Sequence, residues 1–294
     1  MKLLAPLASL LATTAAVELS TVYQFPNGTW LENIAQLHNS SLLTTLIGTA
    51  DIYLMDRNVF AVAVGNVTSS NAPVEGTFGV WSLDFRTPDA TKHSAACIDS
   101  GVKIRRIADL PHAGLLNGMA FRKPSTLFLA DSWAGHIIQL DAVSGTVTGA
   151  IEDASLMPDF ASPGLVIGVN GLRIHGGHLY FSNTVQNLLG RIALGQHDNA
   201  TAHGGIEVIK RGEEISQPDD FAVLRDGSVL LARPLADTLQ RVSLGGEVSE
   251  IARGGVVSGG TSVLLGRDGE VFVSTSGLEG GARVGGGRIV RVEI

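Results

Sequence analysis

A short pattern that recurs along the chain constrains its fold most strongly. Each copy begins with a polar residue, passes through a short apolar segment and a turn, and continues into a second, more apolar segment. Copies begin at Asn117, Asn170, Asp219 and Thr261, so successive starts are 53, 49 and 42 residues apart. Short apolar or alternating runs bounded by Gly, Asn, Asp and Pro are typical of strands and turns. Repeats of about 40–50 residues with several strands each predict a β-propeller.

Weaker copies extend the repeat toward the N-terminus. One begins at Glu32 and a degenerate one runs from Asn58 to Asp84, so we expect six blades in all. The segment 287–294 is a final strand without a polar tail. We expect a strand at residues 17–24 to share its blade and close the ring, because an unpaired edge exposes backbone hydrogen-bonding groups. The predicted fold is an all-β, six-bladed propeller over residues 17–294.

Composition excludes several classes of protein. Hydrophobic residues make up 45% and charged residues 17% of the 294, which excludes an intrinsically disordered chain. The net charge of −7, with no cluster of Lys and Arg, argues against nucleic-acid binding. The single cysteine, Cys97, excludes an internal disulfide and a multi-cysteine zinc site. We expect Cys97 to be a small buried apolar residue.

The N-terminus predicts a targeting segment. In residues 1–16, Lys2 precedes the mostly apolar run Leu3–Leu11, and small residues at 14–16 offer a cleavage site, as in a secretory signal peptide. The run is too short to span a membrane and no later run reaches 18 apolar residues, so we expect no membrane span. Four glycosylation sequons follow, at Asn27, Asn39, Asn66 and Asn199. Together these features predict the secretory pathway, with a secreted or vacuolar destination.

The polar residues that open the repeats are the candidate functional residues. The first strand of each propeller blade lines the central channel, so residues at one phase of the repeat point into one volume. These positions carry Glu32, Asn117, Asn170, Asp219 and Thr261. Carboxylate and carboxamide oxygens suit hard cations such as Ca²⁺ or Mg²⁺. Asn and Asp also favour turns before strands, so the residues alone leave both roles open.

These residues resemble a known family, the senescence-marker-protein/gluconolactonase-like six-bladed propellers, a group similar also to strictosidine synthase. In its metal-dependent lactonases, a Glu of the first blade, an Asn in Asn-Gly-Leu and an Asp in Pro-Asp-Gly bind a divalent cation. The resemblance therefore implies Glu32, Asn170 and Asp219 as possible metal ligands and Asn117 as a substrate contact. Asp220 stands where the family motif has Gly, a departure from the pattern.

The leader and the segment from Val17 to Ala35 look like a fungal subgroup of these propellers. Some members are hetero-Diels-Alderases of tropolone–sesquiterpenoid pathways, which join a quinone-methide-like diene to an alkene of a macrocyclic terpene. The resemblance implies a pericyclase of secondary metabolism that takes small apolar substrates and requires no cofactor.

A pericyclase needs a defined pose and hydrogen-bond donors rather than a nucleophile. It holds two reactants together and stabilises oxygen that gains negative charge. We expect Asn117, Asn170 and His175 to be the donors, and Asp219 and Glu32 to hold them in place, unless a bound cation polarises the oxygen instead. The expected substrate-binding residues are Glu32, Leu115, Leu116, Trp133, Phe160 and Tyr180.

Two alternatives remain open. In a metal-dependent lactonase, a cation at Glu32, Asn170 and Asp219 would polarise a lactone carbonyl and activate water. In a non-catalytic propeller the same cup would only bind a ligand, because a fold does not by itself imply chemistry. His175 and His178 flank Gly176-Gly177 and could instead cap a solvated turn. No Gly-x-Ser-x-Gly motif is present, which argues against an α/β-hydrolase.

Overall fold

The computed structural model describes residues 17–46, 51–56, 59–68, 72–86, 102–161, 166–195 and 205–294, with backbone only for 51–56. The predicted signal peptide at residues 1–16, Cys97 and the sequon at Asn199 lie outside the described residues.

The described residues are almost entirely β-strands and turns. The first seven strands are β1 (Glu18–Gln24), β2 (Leu31–Gln36), β3 (Leu42–Leu46), β4 (Asp51–Asp56), β5 (Val59–Val64), β6 (Gly79–Asp84) and β7 (Lys103–Asp109). The next eight are β8 (Leu116–Lys123), β9 (Thr126–Asp131), β10 (His136–Asp141), β11 (Thr146–Glu152), β12 (Val169–His175), β13 (His178–Asn183), β14 (Leu188–Ala193) and β15 (Ile206–Arg211). The last nine are β16 (Phe221–Val223), β17 (Val229–Arg233), β18 (Thr238–Val242), β19 (Val248–Arg253), β20 (Gly260–Leu265), β21 (Val271–Thr275), β22 (Leu278–Glu279), β23 (Ala282–Arg283) and β24 (Arg288–Glu293).

The strands form five four-stranded antiparallel sheets and two hairpins. Four of the sheets contain consecutive strands, β4 to β7, β8 to β11, β12 to β15 and β16 to β19. The fifth has the order β20-β21-β24-β1, in which β1 runs antiparallel to β24 from Glu18 opposite Glu293 to Gln24 opposite Arg288. The hairpins are β2-β3 and β22-β23. The strand predicted at residues 17–24 is therefore β1, and it shares a sheet with the C-terminal strand.

The first strands of the sheets neighbour one another in sequence order. Strand β2 contacts β4, β4 contacts β8, β8 contacts β12, β12 contacts β16, β16 contacts β20, and β20 contacts β2. The described residues thus form an all-β, propeller-like fold, with no α-helix among them. The blade count of six and the closed ring stay predictions.

The core lies between neighbouring sheets, and strand β9 shows why its sequence is a continuous apolar run. Leu127 and Leu129 point to one side, into a cluster with residues of β5, β8 and β10. Phe128 and Ala130 point to the other side, into a cluster with residues of β12 and β13. Because successive side chains of a strand alternate between faces, a strand buried on both faces must be apolar at every position.

Buried hydroxyl groups join the end of one sheet's second strand to the start of the next sheet. Ser132 Oγ donates a hydrogen bond to the Val169 carbonyl oxygen at 2.6 Å. Ser182 Oγ donates to the Asp219 carbonyl oxygen at 2.6 Å, and Ser274 Oγ to that of Glu32 at 3.2 Å. These bonds hold the backbone from which the candidate site residues project.

Candidate functional site

Backbone irregularities coincide with the polar residues that open the first strands. The register shifts between Leu31 and Ile34 in β2, between Leu116 and Met119 in β8, between Val169 and Leu172 in β12, and between Gly260 and Ser262 in β20. Each shift brackets one candidate residue: Glu32, Asn117, Asn170 or Thr261. A bulge of this kind redirects a side chain that regular pleating would point elsewhere. The Asn-Gly pairs therefore lie within strands rather than in turns before them.

Two glycines allow the first strands to come close together. A Cβ atom at Gly118 would lie 2.2 Å from the Asn170 carbonyl oxygen, and one at Gly171 would lie 2.5 Å from Asp220 Oδ1. Both distances are shorter than van der Waals contact, so only glycine fits. The glycines thus bring Asn117 beside Asn170, and Asn170 beside the Asp219-Asp220 pair.

Asn170 and Asp219 form the hydrogen-bonded centre of the site. Asn170 Nδ2 donates to Asp219 Oδ1 at 2.8 Å and to Thr184 Oγ1 at 3.0 Å. Asn170 Oδ1 is buried and accepts no hydrogen bond within the described residues. Thr184 Oγ1 in turn donates to the Pro218 carbonyl oxygen at 2.9 Å, which fixes the segment before Asp219. The Asn170 carboxamide thus has one buried oxygen to which no described residue donates a hydrogen bond.

Glu32 contributes a carboxyl group whose pKa is raised. Glu32 is partly buried, and the loss of contact with water raises the pKa of its carboxyl group well above the usual range; the negative charge of Asp219 raises that pKa further. A hydrogen bond from Trp30 Nε1 to Glu32 Oε2, at 2.9 Å, acts in the opposite direction, and Asp220 adds a smaller upward effect on the pKa. The mutual influence of these carboxyl groups places Glu32 and Asp219 in the same cluster.

Asp220 stands where the family motif has glycine, and the positive charge of Arg173 balances the charge of its carboxylate. Its Oδ2 accepts a hydrogen bond from Ser262 Oγ at 2.6 Å and pairs with the Arg173 guanidinium. Its Oδ1 is buried and accepts no hydrogen bond within the described residues. Pairing with Arg173 explains how the chain accommodates a carboxylate at this position.

Thr261 has a structural role. Its hydroxyl contacts the Leu31 carbonyl oxygen at 2.9 Å and the Ser274 hydroxyl at 3.1 Å. It therefore tethers β20 to β2 immediately before Glu32. Asn117, in contrast, is half-buried at the start of β8, and no hydrogen bond of its side chain occurs within the described part of the chain.

An aromatic pair lies at the same end of the strands as Asn117 and Asn170. The rings of Trp133 and Phe160 meet edge to face with centroids 5.5 Å apart, and Phe160 is 60% exposed. The turn after β9 that carries Trp133 is bonded to the segment before β12, since the Gly168 amide donates to the Ser132 carbonyl oxygen at 2.8 Å. The pair thus offers an accessible apolar surface at the end of the strands where the polar cluster lies.

The remaining predicted site residues lie elsewhere. His175 ends β12, five residues beyond Asn170 and so roughly 16 Å away along an extended strand. It pairs with His178 across the hairpin and, together with Arg173, lines a cavity of about 250 Å³. Tyr180 is only 2% exposed and packs in the core between β13 and β17. Leu116 is likewise a core residue, and Leu115 packs against the same apolar cluster. The structure thus places Tyr180, Leu115 and Leu116 in apolar clusters, and His175 at the end of β12 away from Asn170.

The residues of the cluster fit a divalent cation chemically. Two carboxyl groups and an unpartnered carboxamide oxygen make an oxygen-only donor set, which hard cations prefer. Within the described ranges, no group of three or more His, Cys, Asp and Glu side chains is arranged to hold a metal. A cation here would therefore depend on the Asn170 oxygen together with Glu32 and Asp219.

Surface features outside the cluster bear on the targeting expectations. Asn27, Asn39 and Asn66 are exposed, so a glycosylating enzyme could reach each of these sequons. Among the described residues, no helix has the length and hydropathy needed to cross a membrane.

Comparison with known proteins finds one relative by sequence. No protein-family model matches the chain. The chain is 24% identical, over 255 residues, to a candidate hetero-Diels-Alderase of Sarocladium schorii, with 69% of this chain covered. The aligned part spans 60% of the length of that relative.

Solved structures resemble the fold over nearly its whole length. A luciferin-regenerating enzyme matches with a TM-score of 0.64 and 14% identity, covering 95% of this chain and 96% of that structure. The calcium-binding protein regucalcin from Agrobacterium tumefaciens matches with a TM-score of 0.60 and 17% identity over 93% of this chain and 92% of its own. A PQQ-bound aldose sugar dehydrogenase from Streptomyces coelicolor matches with a TM-score of 0.60 and 15% identity, covering 95% and 98%. At these identities the similarity supports the fold alone.

Proposed function

We propose that this protein is a hetero-Diels-Alder pericyclase that joins a quinone-methide-type diene to a terpene alkene. The observation that carries the proposal is that a hydrogen-bonded polar cluster and an exposed aromatic pair lie at the same end of the strands. Asn117, Asn170 and Glu32 provide the polar groups, and Trp133 and Phe160 the apolar surface. The relative from Sarocladium schorii supports the same class of reaction.

The reaction needs neither a nucleophile nor a proton transfer from the protein. Three π bonds, two in the oxygen-containing diene and one in the alkene, become one carbon–carbon bond, one carbon–oxygen bond and one remaining π bond. No atom, proton or leaving group is lost. The diene oxygen gains negative charge before its new bond is complete, so hydrogen-bond donors at that oxygen lower the barrier.

Asn117 and Glu32 are the donors that we assign to this oxygen. The Asn117 amide is half-buried and makes no hydrogen bond to another described residue, so it is available to a ligand. The raised pKa of Glu32 increases its protonated fraction near neutral pH, and a neutral carboxylic acid donates a hydrogen bond. Asn170 and Asp219 act as positioning residues, because their side chains bond each other.

Holding the two reactants together supplies the rest of the acceleration. A bimolecular reaction whose partners are bound in a reactive pose avoids much of the entropic cost of meeting. The edge-to-face pair of Trp133 and Phe160 gives a hydrocarbon reactant a surface to pack against. Pockets for such ligands are mostly apolar with a few oriented polar groups, which matches this arrangement.

The proposal includes a closed ring of six blades and passage through the secretory pathway. The cyclic order of contacts from β2 through β20 and back to β2 supports the ring. The exposure of Asn27, Asn39 and Asn66 supports glycosylation during secretion. Treatment of the purified protein with an N-glycosidase, followed by mass spectrometry, reports which sequons carry glycans.

A metal-dependent lactonase is the second candidate, favoured by the buried Asn170 Oδ1 that lacks a donor. Glu32, Asn170 and Asp219 would hold the cation. A bound cation would polarise the lactone carbonyl. In that function Asp219 would serve as the base that takes a proton from the attacking water.

One experiment separates these functions. The purified full chain is mixed with a quinone methide generated in situ and a macrocyclic terpene alkene, before and after exhaustive chelation. A simple lactone is assayed in parallel. We expect accelerated cycloaddition that survives chelation, is lost in Asn117→Ala and Trp133→Ala, and persists in the control Trp81→Ala, whose ring lies against Arg106 on an outer strand.

Two results would overturn the proposal. Lactone hydrolysis that chelation abolishes, without acceleration of cycloaddition, would establish the second candidate. Binding of either substrate without turnover would show a non-catalytic propeller.

A further inference from the structure

A polar cavity of about 460 Å³ lies outside the residues of the polar cluster. One wall is the sheet of β16 to β19, and the other is the short 3₁₀ turn Glu213–Ile215, which follows β15. The polar side chains that line this cavity are Glu213, Glu214, Arg233, Gln240, Glu250 and Arg253. None of them has a role in the function proposed above.

Arg233 is a buried cation in the wall of this cavity. Its side chain is only 6% exposed. Nε donates to the Ser216 carbonyl oxygen and Nη1 to the Glu214 carbonyl oxygen, both at 2.9 Å, and Nη2 donates to the Ser216 hydroxyl. These bonds leave each terminal nitrogen of Arg233 with one further N–H. All three acceptors are neutral, and a buried charge without an opposite charge costs free energy, so this guanidinium favours an anion.

The charges around Arg233 balance it only in part. Within the described residues no carboxylate forms an ion pair with Arg233. Burial lowers the pKa of its guanidinium, and the charge of Arg253 lowers that pKa further, whereas Glu213 and Glu250 act in the opposite direction. The lining as a whole therefore carries both signs of charge, which favours a ligand that also carries both.

Gln240 and Glu250 offer acceptors beside this cation. Gln240 is 7% exposed, and its buried Oε1 accepts no hydrogen bond from any described residue. Gln240 pairs with Glu250 across β18 and β19, and with Leu231, two residues before Arg233, across β17 and β18. Opposite and diagonal neighbours on one face of a sheet have Cβ atoms roughly 5–8 Å apart. Arg253 bonds only Oε2 of Glu250, at 2.8 Å from Nε, so Oε1 of that carboxylate is not engaged by Arg253.

We propose that this cavity binds a free α-amino acid, with its carboxylate on Arg233 and its ammonium group between Gln240 Oε1 and Glu250. An ammonium group has three N–H donors and no acceptor, so an amide oxygen and a carboxylate are its natural partners. The carboxylate of the same ligand supplies the anion that Arg233 lacks, through charge-assisted hydrogen bonds. A zwitterion adds no net charge to a lining that already contains both signs.

Calorimetric titration of the full chain with L-alanine, L-glutamine and L-leucine tests this site, because the three share both charged groups and differ in side chain. Their α-amides lack the carboxylate, and their N-acetyl forms lack the ammonium group. We expect each altered form to bind about tenfold more weakly, or worse, because each loses charged hydrogen bonds. No binding of any of the three amino acids would overturn the proposal, and so would equal affinity for an amino acid and either altered form.

Gln240→Leu removes the unpartnered oxygen without removing a hydrogen bond of that oxygen within the described protein. We expect it to weaken amino-acid binding about tenfold without lowering the melting temperature. Glu250→Gln, at an exposed position, should weaken binding as well. Gln139→Leu is the matched control, because Gln139 is an equally buried glutamine of another sheet, in β10, and its variant should keep the affinity.

The variants can also overturn the proposal. Unchanged affinity in Gln240→Leu or in Glu250→Gln would do so, and so would an equal loss of affinity in Gln139→Leu. These titrations contain no cycloaddition substrate, so their outcome is independent of the function proposed above.

Discussion

At the scale of single residues, the site contains three carboxyl groups, and the surroundings of each stabilise its negative charge to a different degree. Asp220 is paired with Arg173 and Ser262, and Asp219 accepts a hydrogen bond from Asn170. Within the described residues, the indole N–H of Trp30 stabilises the charged form of Glu32, whereas burial and the negative charge of Asp219 oppose that form. Glu32 is therefore the carboxyl group whose pKa we expect to depend most on its burial and on the neighbouring charge of Asp219.

Glu32→Gln tests this assignment through the pH dependence of stability. Because the folded-state pKa is raised, the unfolded chain ionises first as pH rises above about 4.5, and the folded state loses stability until the folded pKa is passed. A glutamine has no proton to lose. We expect the melting temperature of the variant to rise relative to that of the unaltered protein as the pH increases above about 4.5.

Glu247→Gln is the control for this experiment, since Glu247 is exposed on a turn far from the cluster. Its melting profile should run parallel to that of the unaltered protein. Parallel profiles for Glu32→Gln as well would contradict the account of the Glu32 environment.

The sequence predicted part of the site for a physical reason. Glu32, Asn170 and Asp219 occupy the same position in their repeats, and side chains at equivalent positions point into one shared space. In the structure these three side chains do lie close together. Trp30 carries no periodic signal, because it precedes a strand. His175 belongs to the same strand as Asn170, and sequence proximity gave no indication of which end of the strand faces the cluster.

At the scale of elements, bulged first strands and buried hydroxyl groups set the geometry. The bulges turn the polar side chains toward the cluster, and the hydroxyl groups hold the backbone behind them. Ser182 holds two backbone segments at once, because its hydroxyl donates to the Asp219 carbonyl oxygen at 2.6 Å and accepts from the Gly171 amide, inside the β12 bulge, at 2.9 Å. The small polar residues that end the second strands were visible in the sequence, but their partners lie 11 and 37 residues away.

Ser182→Ala should therefore destabilise the protein and loosen Asp219. Removing the hydroxyl leaves a buried amide and a buried carbonyl without partners, at a cost of about 1–3 kcal/mol. The melting temperature measures the loss, and Ser144→Ala, on an exposed turn, is the control. Equal melting temperatures for the two variants would show that the junction does not depend on this hydroxyl.

At the scale of the whole molecule, the pairing of β1 with β24 joins the two ends of the described chain. The repeat period and the apolar second strands were enough to predict an all-β propeller-like fold and the position of β1. The period could not reveal the insertion of β22-β23, which leaves β21 and β24 adjacent in one sheet. Backbone pairing tolerates such an insertion because it occurs in a connection at the strand ends.

Leu19→Asp tests what β1 contributes. Leu19 packs against the apolar cluster that contains Val290 and Val292, whereas Ser20, on the opposite face of β1, is exposed. A carboxylate at position 19 should cost roughly 1–3 kcal/mol of unfolding free energy in lost apolar burial. Ser20→Asp is the matched control in chemical denaturation, and an equal midpoint for both variants would show that β1 adds no stability.

The stereochemistry of the cycloadduct tests the central claim most directly. If the cluster and the aromatic pair hold both reactants in one pose, the unaltered protein yields predominantly one stereoisomer. Asn117→Ala and Trp133→Ala then shift the product toward the mixture that forms without protein. The same mixture from the unaltered protein would contradict the account, because no site would then control how the two reactants meet.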